Sequence, residues 1–145
     1  QCTFGNYWQG QRNSALMIFK DYYQSTSIEF RPFNSANFTN CIFYGSNTNE
    51  LFIDTLGRDH PNGDVPVFNF TNCLVKLEDS INNSSFFSNC FNNQEPLFND
   101  PNNWDFSIPT NSIVVDKGAS SSIMIDILAN PRTGAFNDLG CFEAQ

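Results

Sequence analysis

Charge is scarce in this chain. Asp, Glu, Lys and Arg make up only 15% of the 145 residues, and just seven of those are basic, scattered from Arg12 to Arg132. A nucleic-acid interface needs a clustered basic footprint, and so does attraction to an anionic membrane surface, so neither partner is expected. The net charge of -8 implies solubility and little more. No apolar run approaches the roughly 20 residues that cross a bilayer as a helix, so no transmembrane segment is expected. His60 is the only histidine. A Ser-His or Cys-His mechanism would depend on it, and no Gly-x-Ser-x-Gly elbow accompanies it. Helical signals are missing too, because no stretch between caps keeps apolar residues at i, i+3, i+4 and i+7.

What the chain has instead is Phe, 16 of them, and abundant Asn. Phe favours strands, while Asn favours corners because it tolerates left-handed backbone. Many short strands joined by Asn-rich turns follow from that balance.

Three segments repeat one pattern: Phe38-Thr39-Asn40-Cys41-Ile42-Phe43, Phe70-Thr71-Asn72-Cys73-Leu74-Val75 and Phe87-Ser88-Asn89-Cys90-Phe91-Asn92. Cys2-Thr3-Phe4 reads as the tail of a fourth copy. The spacings between these cysteines are 39, 32 and 17 residues, as expected of stacked coils that carry loop insertions of different size. Alternation along a strand points Cys41 with Phe43, and Cys73 with Val75, towards one interior. Stacking coils about 4.8 Å apart would set the Asn of each copy over the next, with their amides free to bond along the ladder.

The five cysteines, Cys2, Cys41, Cys73, Cys90 and Cys141, have no zinc spacing and no Cys-x-x-Cys pair. Core packing is the preferred reading of the repeated ones, ahead of a disulfide framework and of metal binding or catalysis. Further strands are expected at Ala15 to Phe19, Glu50 to Asp54 and Ser112 to Val115, with Phe30 and Phe33 on another face.

The fold expected is therefore all-β, a right-handed parallel β-helix, with a β-sandwich or jelly roll as the alternative. A sandwich gives no reason for Asn-Cys to recur at one point in each strand. Within one domain, residues 1–95 would form irregular coils and residues 96–145 the last coil and a closing segment. The opening Gln1-Cys2-Thr3-Phe4 reads as mid-strand, so either upstream coils or a capping partner are expected at that end.

The C-terminal residues add a resemblance. Asp126-Ile127-Leu128-Ala129-Asn130-Pro131-Arg132-Thr133-Gly134 and Asp138-Leu139-Gly140-Cys141-Phe142-Glu143 are similar to the closing motif of bacterial right-handed β-helix repeat (choice-of-anchor) surface proteins of the Bacteroidetes type. Pro96 to Pro101, Asp105-Phe106 and Ser112 to Gly118 resemble the stretch that precedes it, and Cys2 to Trp8 and Cys41 to Ser46 also look like this group. Where that family often has Gly, Ala and Tyr, this chain has Ala129, Cys141 and Phe142. The resemblance implies a secreted or cell-surface, outer-membrane-associated setting. It implies a noncatalytic module that binds polysaccharide or another surface protein, or is a structural subunit of a surface assembly. The alternative is the C-terminal part of a β-helix polysaccharide lyase or glycoside hydrolase whose active site lies mainly upstream.

No residue set earns a catalytic, cofactor or metal assignment. Arg132 with Asp116, Asp126, Asp138 and Glu143 is the densest charged constellation, and it reads as ion pairing in the closing segment rather than acid–base chemistry. Asp54, Asp59, His60 and Asp64 sit in or beside an oxygen-rich loop; a solvated loop is preferred there, and calcium is the alternative. Lys76 and Arg31 read as isolated surface charges. Trp8, Tyr22, Tyr23 and Trp104 have the faces to stack on sugar rings, although packing explains Trp8 and Trp104 equally well. The sequons at Asn37, Asn69, Asn82 and Asn83 are expected by chance in an Asn-rich chain.

Overall fold

The computed structural model describes residues 1–31, 35–55, 68–79, 81 and 85–145. The chain is all-β, as its Phe and Asn content predicts, and among the described residues the only helical element is a 3-10 turn at Pro101–Asn103. Its strands are short and fall into small separate sheets: β1 (Thr3–Asn6), β2 (Met17–Lys20), β3 (Tyr22–Gln24), β4 (Ile28–Phe30), β5 (Ala36–Thr39), β6 (Ile42–Gly45), β7 (Leu51–Asp54), β8 (Phe68–Thr71), β9 (Leu74–Val75), β10 (Phe87–Ser88) and β11 (Phe91–Asn92).

Three of the four sheets are parallel. β1, β6, β9 and β11 lie side by side in that order, and β5, β8 and β10 form a second sheet with β8 in the middle. β2 pairs with β7. The exception is the hairpin of β3 and β4, which is antiparallel. The registers align the sequence repeat with itself: Thr3, Ile42, Leu74 and Phe91 are successive partners, as are Phe38, Phe70 and Phe87.

The recurring Asn is explained by the backbone. Asn40, Asn72 and Asn89, each between two strands of the repeat, have φ of 56°, 49° and 51°. A side chain with a β-branch or bulk is strained in that left-handed region, whereas Asn enters it readily. The expected ladder of corner amides is not what the Asn40 side chain does. Its amide donates to Ala119 O (2.7 Å) and its carbonyl accepts from Ala119 N–H (2.8 Å), tying the corner to the C-terminal segment. A single amide–amide bond does occur three residues before the corner, where Asn69 donates to Asn37 across paired strands (3.0 Å).

Alternation feeds two cores. Cys41, Phe43, Leu51, Phe68, Phe70, Cys73 and Val75 bury together with Phe19 and Ile81. Within that core, Phe70 stacks between Phe38 (5.1 Å) and Phe87 (5.0 Å) as a column of rings in register. The intervening residues Ile42, Tyr44 and Leu74 face the other way and pack with Phe98, Ile108, Val114 and Leu139. β6 is therefore buried on both faces, as parallel strands usually are.

The second core explains where residues 96–145 go. They lie against the outward face of the four-stranded sheet and reach back to the first strand: Cys141 N–H donates to Thr3 Oγ1 (3.1 Å), and Gln1 meets Asp138 O and Ser121. Strand boundaries near Ala15 to Phe19 and Glu50 to Asp54 shift by one or two residues, to Met17–Lys20 and Leu51–Asp54. Ser112 to Val115 is a turn and not the expected strand. Ser112 N–H bonds Pro109 O and its hydroxyl bonds Pro96 O, so local bonds replace a ladder. Phe30 lies in the hairpin; Phe33 falls outside the described residues.

Candidate functional site

A cleft of about 580 Å³ opens beside the β2–β7 pair, a size ordinary for a small-molecule or oligosaccharide subsite. Parallel register places Ile18 next to Phe52, and both side chains are about half exposed on the cleft wall. The chain before β2 adds Arg12, Asn13, Ser14 and Ala15, and the loop before β7 adds Ser46, Asn47, Thr48 and Asn49.

One ion pair holds these two loops together. Glu50 is fully buried and takes a two-pronged contact from the Arg12 guanidinium, with 2.8 Å from Nη1 to Oε2 and 2.5 Å from Nη2 to Oε1. The carboxylate also accepts from the N–H groups of Leu16 (3.2 Å) and Asn47 (2.8 Å). Gly45 makes room for it: a Cβ there would lie 2.3 Å from Glu50 Oε1. With two guanidinium and two backbone N–H donors on it, the carboxylate has no face left to meet a ligand. Asn47 then bonds Ser14 O across the cleft (2.9 Å), and Asn49 exchanges bonds with Glu78. Asn13, Ser14, Ser46 and Thr48 are exposed at the rim. The result is a cross-bonded, amide- and hydroxyl-rich cleft with one aromatic wall, its Arg12 charge paired with Glu50.

The constellations singled out from sequence are placed as follows. Arg132, Asp126, Asp138 and Glu143 do come together, as a buried knot. Arg132 pairs with Glu143 (3.0 Å), with both side chains 3% exposed, and donates to the carbonyls of Gly140, Phe142 and Asp138. Asp138 accepts from Asp116 N–H and Ala144 N–H, and Glu143 from Thr133 N–H. The Asp116 side chain is exposed. Burial raises the Asp126 carboxyl, but N–H donors from Asn130, Glu143 and Leu128 outweigh it and hold the pKa below the usual carboxylate value. Every carboxylate in the buried knot serves backbone.

Asp54 accepts from Tyr22 Oη (2.8 Å) and pairs with Lys20 (3.2 Å), while Asp59, His60 and Asp64 fall outside the described residues. Among the described residues no group of three or more His, Cys, Asp or Glu is arranged to hold a metal ion, and no helix is long and apolar enough to cross a membrane. Lys76 is not the isolated surface charge expected: its ammonium donates to Gly45 O (2.6 Å) and lies 4.7 Å from the Tyr44 ring. Arg31 pairs with Glu29 at the exposed hairpin. Trp8, Tyr23 and Trp104 are exposed, and none of them, nor Tyr22, lines the cleft. Asn37 and Asn69 are exposed; Asn82 and Asn83 lie outside the described residues.

The cysteines form a row. Cys73 Sγ accepts from Cys41 N–H and Cys90 Sγ from Cys73 N–H, both at 3.4 Å. Hydrogen bonding to Cys41 and Cys90, then burial, pushes the Cys73 thiol well above its ordinary pKa. All five cysteines are free thiols.

The cleft itself was missed from sequence, because its walls come from two segments, 12–18 and 46–52, that are distant in the chain. The available signal was Glu50: a carboxylate opening an apolar strand in a chain so poor in Lys and Arg calls for a dedicated partner. Comparison with protein-family models, curated proteins and solved structures finds no match.

Proposed function

We propose that this chain is a noncatalytic glycan-binding module of a secreted or cell-surface protein, built on a right-handed parallel β-helix. The β-helix reading is supported by the register, in which each copy of the Asn-Cys repeat pairs in parallel with the next and Asn turns the corner between two sheets. A sandwich or jelly roll pairs its strands antiparallel, and parallel crossovers are right-handed in nearly all folds. The likeness to Bacteroidetes-type surface proteins agrees with this architecture.

The observation that carries the glycan reading is the cleft beside Ile18 and Phe52. Its charges are neutralised in the Arg12–Glu50 pair, leaving amides and hydroxyls to bond sugar hydroxyls and a Phe ring to cover an apolar sugar face. A lyase reading needs a free base beside a uronic acid, and the basic groups of this cleft and of the C-terminal knot are engaged.

Calorimetry against neutral polysaccharides and polyuronates tests the proposal. A neutral glycan should bind and Phe52→Ala should weaken it at least about tenfold, or ~1.4 kcal/mol, with no unsaturated product from the polyuronates. Binding that survives Phe52→Ala, or no glycan binding at all, would overturn it.

A further inference from the structure

Cys41, Cys73 and Cys90 hold equivalent places in neighbouring parallel strands. The register pairs Thr39 with Thr71 and Thr71 with Ser88 two residues before them, and Ile42 with Leu74 and Leu74 with Phe91 one residue after. Cys41 N–H donates to Cys73 Sγ and Cys73 N–H to Cys90 Sγ, both at 3.4 Å. Paired strands run about 4.8 Å apart, inside the Cα separation of roughly 4.4–6.8 Å that a disulfide spans. Neighbours in this row can therefore be joined with little movement of the backbone.

The three thiols differ in access. Cys73 is fully buried and Cys41 is 3% exposed, so an oxidant in solution meets neither directly. Cys90 is partly exposed and lines a pocket of about 260 Å³ with Ile81, Phe87 and Asn89, which is room for a small oxidant. Its flanking strands β10 and β11 are two residues long and, among the described residues, pair on one side only. This end of the row is the one free to shift. A hydrogen bond with the Cys73 thiol, helped by the Cys73 main chain, outweighs burial and draws the Cys90 pKa down to about 7. Much of Cys90 is then thiolate near neutral pH, the form that attacks peroxides.

From the register and the access we infer that Cys90 and Cys73 are a peroxide-reactive pair that closes to a disulfide. The Cys90 sulfur attacks hydrogen peroxide, so that an S–O bond forms while the O–O bond breaks. The departing hydroxide leaves as water with the Cys90 proton. The Cys73 sulfur then attacks Cys90: an S–S bond forms, the S–O bond breaks, and the second hydroxide takes the Cys73 proton as water. Two thiols are oxidised and one peroxide is reduced to two waters. Cys73 suits the resolving step because it is shielded from oxidant and already in contact with Cys90. Cys41 has the same neighbour without the access.

Intact mass and peptide mapping of the full chain, reduced and then treated with hydrogen peroxide, test this. The chain should lose two hydrogens without forming covalent dimers, and dithiothreitol should restore them. Trypsin cuts after Arg58, Lys76 and Lys117, which puts Cys73 and Cys90 on separate peptides. A cross-link between those two peptides is expected. Cys73→Ser should block it and leave Cys90 as a sulfenic acid that dimedone traps, and Cys90→Ser should leave Cys73 unmodified. Circular dichroism would verify that both variants fold, and the cross-link map of the unsubstituted chain decides if they do not. No loss of hydrogens, a cross-link from Cys41 to Cys73 or Cys2, or covalent dimers alone would overturn the inference. So would dimedone capture at Cys2 or Cys141 with Cys90 untouched.

Discussion

Replacing Arg132 should unfold the C-terminal segment long before it affects any binding. Its guanidinium is almost completely buried and makes an ion pair to Glu143 (3.0 Å) and bonds to the carbonyls of Gly140 (3.1 Å), Phe142 (3.4 Å) and Asp138 (3.5 Å). Arg132→Met keeps much of the volume but leaves the Glu143 carboxylate without its cation in a site of low dielectric. Breaking one side of a buried pair typically costs about 3–5 kcal/mol, a large share of the ~5–15 kcal/mol available to a domain. Arg132→Lys should fall between wild type and Arg132→Met, because one ammonium cannot span a carboxylate and three carbonyls. The double variant Arg132→Met with Glu143→Leu should lose less than the sum of the single variants, with coupling of about 0.5–3 kcal/mol. Urea unfolding followed by circular dichroism reads all of these as changes in midpoint. A loss below about 1 kcal/mol for Arg132→Met would refute the reasoning, for that is the range of an exposed pair.

Three further outcomes follow. Ala129 is exposed and sits at φ 65°, where an L side chain costs about 1–2 kcal/mol. After the flexibility that glycine adds to the unfolded chain, Ala129→Gly should stabilise by about 0.5–1 kcal/mol in the same urea assay, and no gain would mean that the turn is not strained. Because the Asp126 carboxyl is held below its unfolded pKa of about 3.9, its contribution is present above that pH and lost as pH falls through the folded value. Asp126→Asn should therefore flatten the acid-side decline in stability, and an unchanged slope would sink the assignment. Finally, maleimide should label the exposed Cys2 in the native protein while Cys41 and Cys73 react only on unfolding; rapid native labelling of Cys73 would contradict the buried row.

How much of this was legible in the sequence differs by element. The Phe-x-Asn-Cys repeat announced the parallel registers because its Asn answers a local demand, a left-handed corner, that recurs wherever the chain turns between the two sheets. The knot at Arg132 was legible because its members lie within about 20 residues of one another in a chain with few charges. Ser112 to Val115 misled, since two adjacent valines look like a strand while Ser112 closes a turn on Pro96 and Pro109. The path of residues 96–145 back to Thr3 had no local signature, and neither did the pairing of Arg12 with Glu50 across 38 residues. Both depend on which distant segments the fold brings side by side. Lys76 looked solitary because its partners, a carbonyl and an aromatic ring, carry no formal charge.

The most direct test of the glycan assignment is an NMR titration of the full chain with the neutral polysaccharide that binds most tightly. Perturbations confined to the side-chain amides of Asn13, Asn47 and Asn49 and to the ring of Phe52 are the predicted result. Perturbations centred on Trp8 or Trp104, or none at saturating glycan, would contradict it.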